Sequence, residues 1–349
     1  MSSQAIATSA ASDTRPILLV PYMWIGDFVR CHTVVQILKA RFPGRPVDVL
    51  ATPLVATLLD YMPGVRKGIV ADLPRGQIAL QKQWALAKRL RAERYGTSLV
   101  MPRTWKSALA PFLAGIPERT GFAGELRFGL LNDLRWGERA LPRMVDRCAA
   151  LALPKGAPLP PDYPLPELEV PDQEIAAWRQ RLGLAEGRLL AAFAPGAVGP
   201  SKRWPASYFA ETARRLAAQG FSVIVLGGPG ETSLAAEIGA GQGFVHDLTG
   251  ADLRNAILGL AAANVAVSND SGLLHVAAAL GTPSIGIFGP TSPWHWAPLN
   301  PLAAVIETQT VVSCRPCHKP TCRYGHHRCM REIPAEPVVA AVLAARSSA

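Results

Sequence analysis

Short runs of consecutive apolar residues alternate along the chain with longer stretches of helical periodicity, and the alternation occurs twice. In the first half, Ile17–Pro21, Val47–Ala51, Ile69–Val70 and Leu99–Met101 read as buried strands. Helical patterns at Phe28–Arg41, Val55–Tyr61, Ile78–Glu93 and Ser107–Ala114 separate or follow them. In the second half the strands are Leu189–Phe193, Ser222–Leu226, Val265–Ser268 and Ser284–Phe288. The matching helices are Ala206–Gln219, Glu231–Ala240, Leu253–Ala263 and Gly272–Leu280. Strand–helix alternation of this kind predicts parallel sheets with helices on both faces, here an α/β chain of two Rossmann-like doubly wound domains facing a cleft. Between them, Leu153–Pro171 holds seven prolines and almost no periodicity, which predicts a linker. The predicted division is a flexible tail over 1–14, domains over 15–152 and 172–334 joined by the linker 153–171, and a terminal segment 335–349 whose helix reads from Ala335 to Ala345.

Composition supports this picture, with 49% hydrophobic and 18% charged residues over 349 positions suiting two well-packed domains. Met1–Thr14 lacks a basic start followed by an apolar run, so no signal peptide is predicted. No stretch reaches the ~18 apolar residues of a membrane span, which leads to the expectation of a soluble, cytoplasmic protein. Charge adds something once it is located. Between Arg66 and Arg143 stand fifteen Lys/Arg against six Asp/Glu, nine of the formal +10 of the whole chain. Solvated helix faces such as Lys88–Arg94 explain part of this; the rest suits an anionic partner on the first half. An acidic membrane surface or an acidic glycolipid fits better than nucleic acid, because the basic residues are not interleaved with aromatics in a recognisable binding module.

The chemistry concentrates where strands end. Val265–Ser268 runs into Asn269-Asp270-Ser271-Gly272-Leu273-Leu274-His275, where Asp270 and Ser271 are good helix caps and the helix should begin near Gly272. Free N–H groups, the positive end of the helix dipole and small Gly272 make an anion site, and His275 stands one turn in on the same face. The alternative is a plain capped helix with a polar His near its start. After Leu189–Phe193, the turn Ala194-Pro195-Gly196-Ala197-Val198-Gly199-Pro200-Ser201-Lys202-Arg203 offers Gly196, backbone N–H groups and the cation Lys202. The G-x-x-x-x-G-K-[ST] spacing is absent, which argues against ATP hydrolysis. After Ser222–Leu226, Gly227-Gly228-Pro229-Gly230-Glu231 places a carboxylate able to accept from ribose hydroxyls, or simply a favourable acid in a first helical turn. In the first half, Gly26-Asp27 follows the first strand; Asp27 is either an N-cap or a general base placed to take a proton from a hydroxyl.

Six ordered motifs carry a resemblance: Trp24-Ile25-Gly26-Asp27, Met101-Pro102-Arg103-Thr104-Trp105-Lys106-Ser107-Ala108, Gly115-Ile116-Pro117-Glu118-Arg119-Thr120-Gly121-Phe122, Arg127-Phe128-Gly129-Leu130-Leu131-Asn132-Asp133, Gly199-Pro200-Ser201-Lys202-Arg203-Trp204-Pro205 and Asn269–Ala278. From Ile17 to Phe288 the chain resembles the lipopolysaccharide heptosyltransferase II branch of glycosyltransferase family nine. The resemblance implies a GT-B fold, with an acceptor-binding first domain and a nucleotide-sugar-binding second one. It implies an inverting, metal-independent enzyme that moves L-glycero-D-manno-heptose from ADP-heptose to the first heptose of the lipopolysaccharide inner core, with no cofactor required. By the same resemblance Asp27 is the catalytic base. Gly196, Lys202, Glu231, Asp270, Ser271, Gly272 and His275 form the donor site, with Lys202 and the Asp270–His275 segment on the diphosphate and Glu231 on the adenosine ribose. Arg103, Lys106, Arg119 and Arg127 lie in acceptor-domain motifs, and their charge suggests contact with an acidic core acceptor at the inner membrane surface, to which the protein would be peripheral. The terminal helix is expected to cross back to the first domain.

Other readings stay open: a GT-B transferase with another nucleotide sugar or acceptor, a heptosyltransferase I-like specificity, or a non-catalytic binding protein. Met23, Cys31 and His32 depart from the family pattern, which bears on acceptor detail. Cys314-x2-Cys317-x4-Cys322-x6-Cys329, with His318, His326 and His327 nearby, is compatible with structural zinc, with a disulfide or redox-variable loop, or with reduced packing thiols. A reducing cytosol disfavours the disulfides. Cys148 and Cys31 read as unpaired helix residues.

Overall fold

The computed structural model of the chain describes residues 13–74, 77–184 and 187–347. All of the expected tail except Asp13 and Thr14 lies outside the described residues, as does Arg75 of the basic stretch. Among the described residues the chain divides into two compact units between Pro166 and Glu167, inside the proline-rich segment.

The first unit holds β1 (Ile17–Val20), β2 (Val47–Ala51), β3 (Val65–Val70), β4 (Thr97–Val100), β5 (Glu118–Phe122) and β6 (Asp133–Arg135), in the spatial order β3-β2-β1-β4-β5-β6. The second holds β7 (Leu189–Ala194), β8 (Phe221–Val225), β9 (Val245–Asp247), β10 (Val265–Asn269), β11 (Ser284–Phe288) and β12 (Ala304–Glu307), in the order β12-β11-β10-β7-β8-β9. The pairings are parallel, with Ile17 opposite both Val47 and Thr97, and Val265 opposite Ala191. Each sheet therefore reverses its winding once, between β1 and β4 and between β7 and β10. Ligands of open α/β sheets bind beyond the strand ends at such reversals.

Central strands read as unbroken apolar runs because helices cover both their faces. β1 is buried at all four positions and β11 at all five. The first core gathers Leu18, Val20, Leu50, Ile69, Leu86, Leu90, Val100 and Ile116. The second gathers Phe193, Trp204, Phe209, Val223, Ile285 and Ile287, together with Val338 and Val342 of the terminal helix Ala335–Ser347.

Three elements differ from expectation in ways that matter for the site. The helix predicted over Phe28–Arg41 is two helices, Ile25–Arg30 and His32–Arg41, with the Cys31 N–H shared between the carbonyls of Asp27 (3.2 Å) and Phe28 (3.1 Å). The segment Ala56–Tyr61 is a tighter 3-10 helix. Residues 153–171 form neither helix nor strand, yet they are tied down: Thr33 Oγ1 donates to the Pro164 carbonyl (2.9 Å), Gln36 Nε2 to that of Leu165 (2.7 Å), and the Leu168 N–H to that of Ala279 (2.8 Å).

Candidate active site

The winding reversal of the second sheet brings together the turn after β7 and the turn after β10. Asn269, the last residue of β10, is fully buried and staples the two: its Nδ2 donates to the Pro195 carbonyl (2.7 Å) and its Oδ1 accepts from the Trp204 N–H (3.1 Å). Across this staple Lys202 Nζ meets Asp270 Oδ2 at 2.7 Å, the carboxylate almost buried and the amine partly exposed. The helix Gly272–Ala279 starts where the sequence predicts, with Ser271 as the capping residue in extended backbone conformation. The Ser271 side chain does not cap it; its Oγ stands 3.0 Å from the Ser268 hydroxyl. His275, 5% exposed, lies within the same helix. The first helical N–H groups and the partly exposed ammonium of Lys202, held by Asp270 just before the helix, thus form a corner chemically suited to a phosphate group.

Glu231 occupies the neighbouring corner, after β8. Its Oε2 accepts from the Gly228 N–H at 2.9 Å and its Oε1 lies 4.0 Å from Arg203. Two glycines explain themselves here by close approach. A Cβ at Gly196 would stand 2.7 Å from Glu231 Cγ, and one at Gly227 2.9 Å from its Cβ. The glycine in the Pro195-Gly196 turn therefore makes room for the carboxylate. Gly196, Lys202, Glu231, Asp270, Ser271, Gly272 and His275 all fall at the β7, β8 and β10 ends of one sheet.

In the first unit, Asp27 follows β1 at the corresponding reversal, next to β4. The N-cap of the helix Ile25–Arg30 is Trp24, so Asp27 sits inside the first turn and does not cap. Its Oδ1 pairs with Arg30 at 2.8 Å, a guanidinium whose side chain is 4% exposed. Arg30 is not among the residues the sequence singles out, although its spacing of three from Asp27 on a helix is the available signal.

The four expected acceptor cations divide. Arg103 is exposed and pairs with the buried Glu138 at 2.9 Å, and Lys106 is half-buried in the first turn of the helix Trp105–Leu113. Arg127, by contrast, is 1% exposed and donates to the carbonyls of Pro102 and Val100. Burial pulls its pKa down to about 10. Arg119 donates to the carbonyls of Leu130 (2.7 Å) and Ile116 (2.5 Å). Both guanidiniums support loop backbone; the burial of Arg127 corrects the expectation that it faces an acceptor, whereas Arg119 stays partly exposed.

The family model described as glycosyltransferase family 9 (heptosyltransferase) matches residues 83–327. The chain is 36% identical over 336 residues to lipopolysaccharide heptosyltransferase 2 of Escherichia coli K12, covering 93% of this chain and 96% of that protein. The chain belongs to glycosyltransferase family 9. It is also 36% identical over 341 residues to lipooligosaccharide heptosyltransferase 2 of Haemophilus ducreyi, covering 93% of this chain and 97% of that one. The solved structure of the Escherichia coli ADP-heptose lps heptosyltransferase II superposes with a TM-score of 0.85 at 34% identity, over 95% of this chain and 99% of that one. The GT-B fold expected from the sequence motifs is therefore the fold of the chain, and the protein is a glycosyltransferase. Within the family match lie all the candidate donor residues and the four candidate acceptor cations; Asp27 precedes it.

In this family 9 chain the six cysteines are free thiols. Cys31 stands between two helices, and its Sγ lies 3.9 Å from that of Cys148, both buried. They are neighbours without being disulfide-bonded, consistent with the reading of both as unpaired. Cys314, Cys317, Cys322 and Cys329, with His326 and His327, line one small cavity of about 20 Å³. Among the described residues no three His, Cys, Asp or Glu side chains are arranged to hold a metal ion. The thiols are nevertheless unlike one another. Backbone N–H groups, that of His327 foremost, hold the Cys322 thiol below its ordinary pKa, whereas burial pushes Cys329 up to about 11.

Proposed function

We propose that this glycosyltransferase moves L-glycero-D-manno-heptose from ADP-heptose to the heptose-bearing inner core of lipopolysaccharide, with inversion. The observation that carries the reading is the corner at the second sheet's winding reversal. There Lys202, oriented by Asp270 at 2.7 Å, stands with the N-terminus of the helix Gly272–Ala279 in a family 9 chain. That corner has the charge and the N–H donors to take a diphosphate, and Glu231 beside it is an acceptor suited to ribose hydroxyls. The names of the similar proteins supply the donor and the acceptor class.

In this reading Asp27 accepts the proton of the acceptor hydroxyl as that oxygen forms its bond to the anomeric carbon. The bond from that carbon to the diphosphate breaks in line, and its electron pair leaves on ADP. The negative charge that develops on the departing phosphate is met by Lys202, His275 and the helix N-terminus, a fixed electrostatic arrangement of the kind that usually contributes most to catalysis. Protein cations then supply what a divalent ion supplies elsewhere, so transfer should survive chelation. Arg103 and Lys106 are proposed for the acidic groups of the acceptor, and work on such an acceptor would place the protein on the cytoplasmic face of the inner membrane. No helix among the described residues is long and apolar enough to cross a membrane.

The test is transfer from ADP-heptose to a defined heptose-containing core acceptor. Asp27→Asn should lower kcat by roughly 10²–10⁴-fold, the usual contribution of a general base, while calorimetric ADP binding persists. Undiminished turnover would remove Asp27 from the role. Stabilisation against heat by a UDP- or GDP-sugar but not by ADP would overturn the donor assignment.

A further inference from the structure

The cysteine-rich loop grips the turn that carries Lys202, and every polar group of Ser201 is used in the grip. Ser201 is 3% exposed. Its N–H donates to the Pro320 carbonyl at 3.1 Å and its hydroxyl donates to the Lys319 carbonyl. Its own carbonyl accepts from His327 Nε2 at 2.6 Å, which requires the proton of that imidazole to be on Nε2. Two residues earlier Gly199 adopts φ +95°, and a Cβ there would stand 3.0 Å from the Pro320 carbonyl oxygen and 3.1 Å from its Cα. The far side of the loop is anchored in turn: the N–H groups of Cys317 and His318 both donate to the Pro290 carbonyl at 3.0 Å, just beyond the end of β11. The loop thus ties the Lys202 turn to a central strand of the same sheet.

A lysine reaches its target on a four-carbon stem, so the place of its ammonium depends on how firmly the base of that stem is held. Asp270 fixes the tip of Lys202, while the base belongs to the three-residue turn Pro200–Lys202, whose middle residue is held by the loop. We propose that Ser201 and His327 are positioning residues that hold Lys202 at the donor site, through the imidazole of His327 and the Lys319-Pro320 backbone of the cysteine-rich loop. This rests on the reading of Lys202 as a diphosphate contact. The role is donor-specific: the grip touches the second unit's phosphate corner and no candidate acceptor residue.

His327→Leu removes the donor to the Ser201 carbonyl, and Ser201→Ala removes the hydroxyl that reaches Lys319. Each should raise the KM for ADP-heptose and the Kd for ADP by roughly tenfold, within the range expected when a group is misplaced by an ångström or less. The acceptor KM should stay within about twofold, because no candidate acceptor group is displaced. His327→Gln, which keeps an N–H of similar reach, should recover most of the donor affinity. A purely structural role would instead lower Tm and leave donor KM and ADP Kd unchanged in both variants, and that result overturns the proposal. If His327→Leu does not fold, Ser201→Ala and His327→Gln carry the test alone, with unchanged donor KM in Ser201→Ala as the overturning outcome. Lys202→Met separates the two levels. Unchanged ADP affinity in Lys202→Met removes the diphosphate reading itself, whereas weakened affinity there with no effect of Ser201→Ala removes only the grip.

Discussion

Asp27 and Arg30 show how much a single residue's role depends on its partner. Asp27 is in the first turn of its helix, and its Oδ1 is held by a guanidinium that water hardly reaches. Replacing Arg30 by Met should therefore cost turnover without touching the donor: kcat should fall about tenfold or more while ADP binding is kept, since misdirecting a catalytic group by an ångström costs up to ~10²-fold. Steady-state kinetics beside ADP calorimetry would check it. The thiols make a second prediction at this scale. Thiolate is the reactive form, so Cys322, held below its ordinary pKa, should alkylate before Cys329, pushed up to about 11. Brief iodoacetamide treatment near neutral pH followed by peptide mass spectrometry should find Cys322 modified first, and raising the pH should narrow the gap as Cys329 ionises. Residues such as Asp27, Lys202, Glu231 and Asp270 are legible because they follow apolar strands at turns rich in glycine or capping residues. Arg127 is not: whether a cation faces solvent or backbone carbonyls depends on the fold around it, and here Val100 and Pro102 claim it.

At the scale of elements, the strands that the sequence reveals are, apart from the Ile69–Val70 end of edge strand β3, those buried on both faces. β1, β2, β7, β8, β10 and β11 are buried at nearly every position and predominantly apolar, whereas β6, β9 and β12 are edge strands with no fully buried position, and β5 begins with the exposed Glu118 and the half-buried Arg119. Their polar residues hide the strand pattern because one side of each meets water. The helices Met144–Ala152 and Asp172–Arg181 are likewise faint in the sequence: the first is short and flanks the proline-rich segment, and the second buries only Trp178. The turn between β7 and the helix Ala206–Ala217 has energetic content of its own. Trp204 is 1% exposed, donates its indole N–H to the Ile333 carbonyl at 2.9 Å and packs edge-on against Phe209 at 4.9 Å. Trp204→Ala should destabilise the protein by about 3–5 kcal/mol, measurable by urea unfolding. Gly199→Ala forces a side chain into a left-handed conformation facing Pro320 and should cost about 1–3 kcal/mol by the same measurement.

For the molecule as a whole, counting charges along the chain overstates the free positive face. Arg66 and Lys67 are shared with Asp48 and Glu93, Lys82 with Asp72, Arg135 with Asp133, and Arg143 with Asp146. Arg103 is shared as well, with Glu138, though its side chain stays exposed, so what remains for an acidic acceptor is a smaller set around Lys106 and Arg103, just beyond the end of β4. Such a set should show in ionic strength: moving from about 0.05 to about 0.3 M salt should raise the acceptor KM more than the donor KM, because exposed cations are screened within a Debye length of about 10 Å at 0.1 M. Equal responses would place the acceptor elsewhere. The order in which each sheet is assembled has a different consequence. Every strand of the first sheet is complete before the chain reaches Pro166, and every strand of the second comes after Glu167. Neither sheet borrows a strand from the other half, so during synthesis the first half can close its hydrophobic core while the second is still inside the ribosome. The half that contains Asp27 would then be folded before the half that contains Lys202 exists.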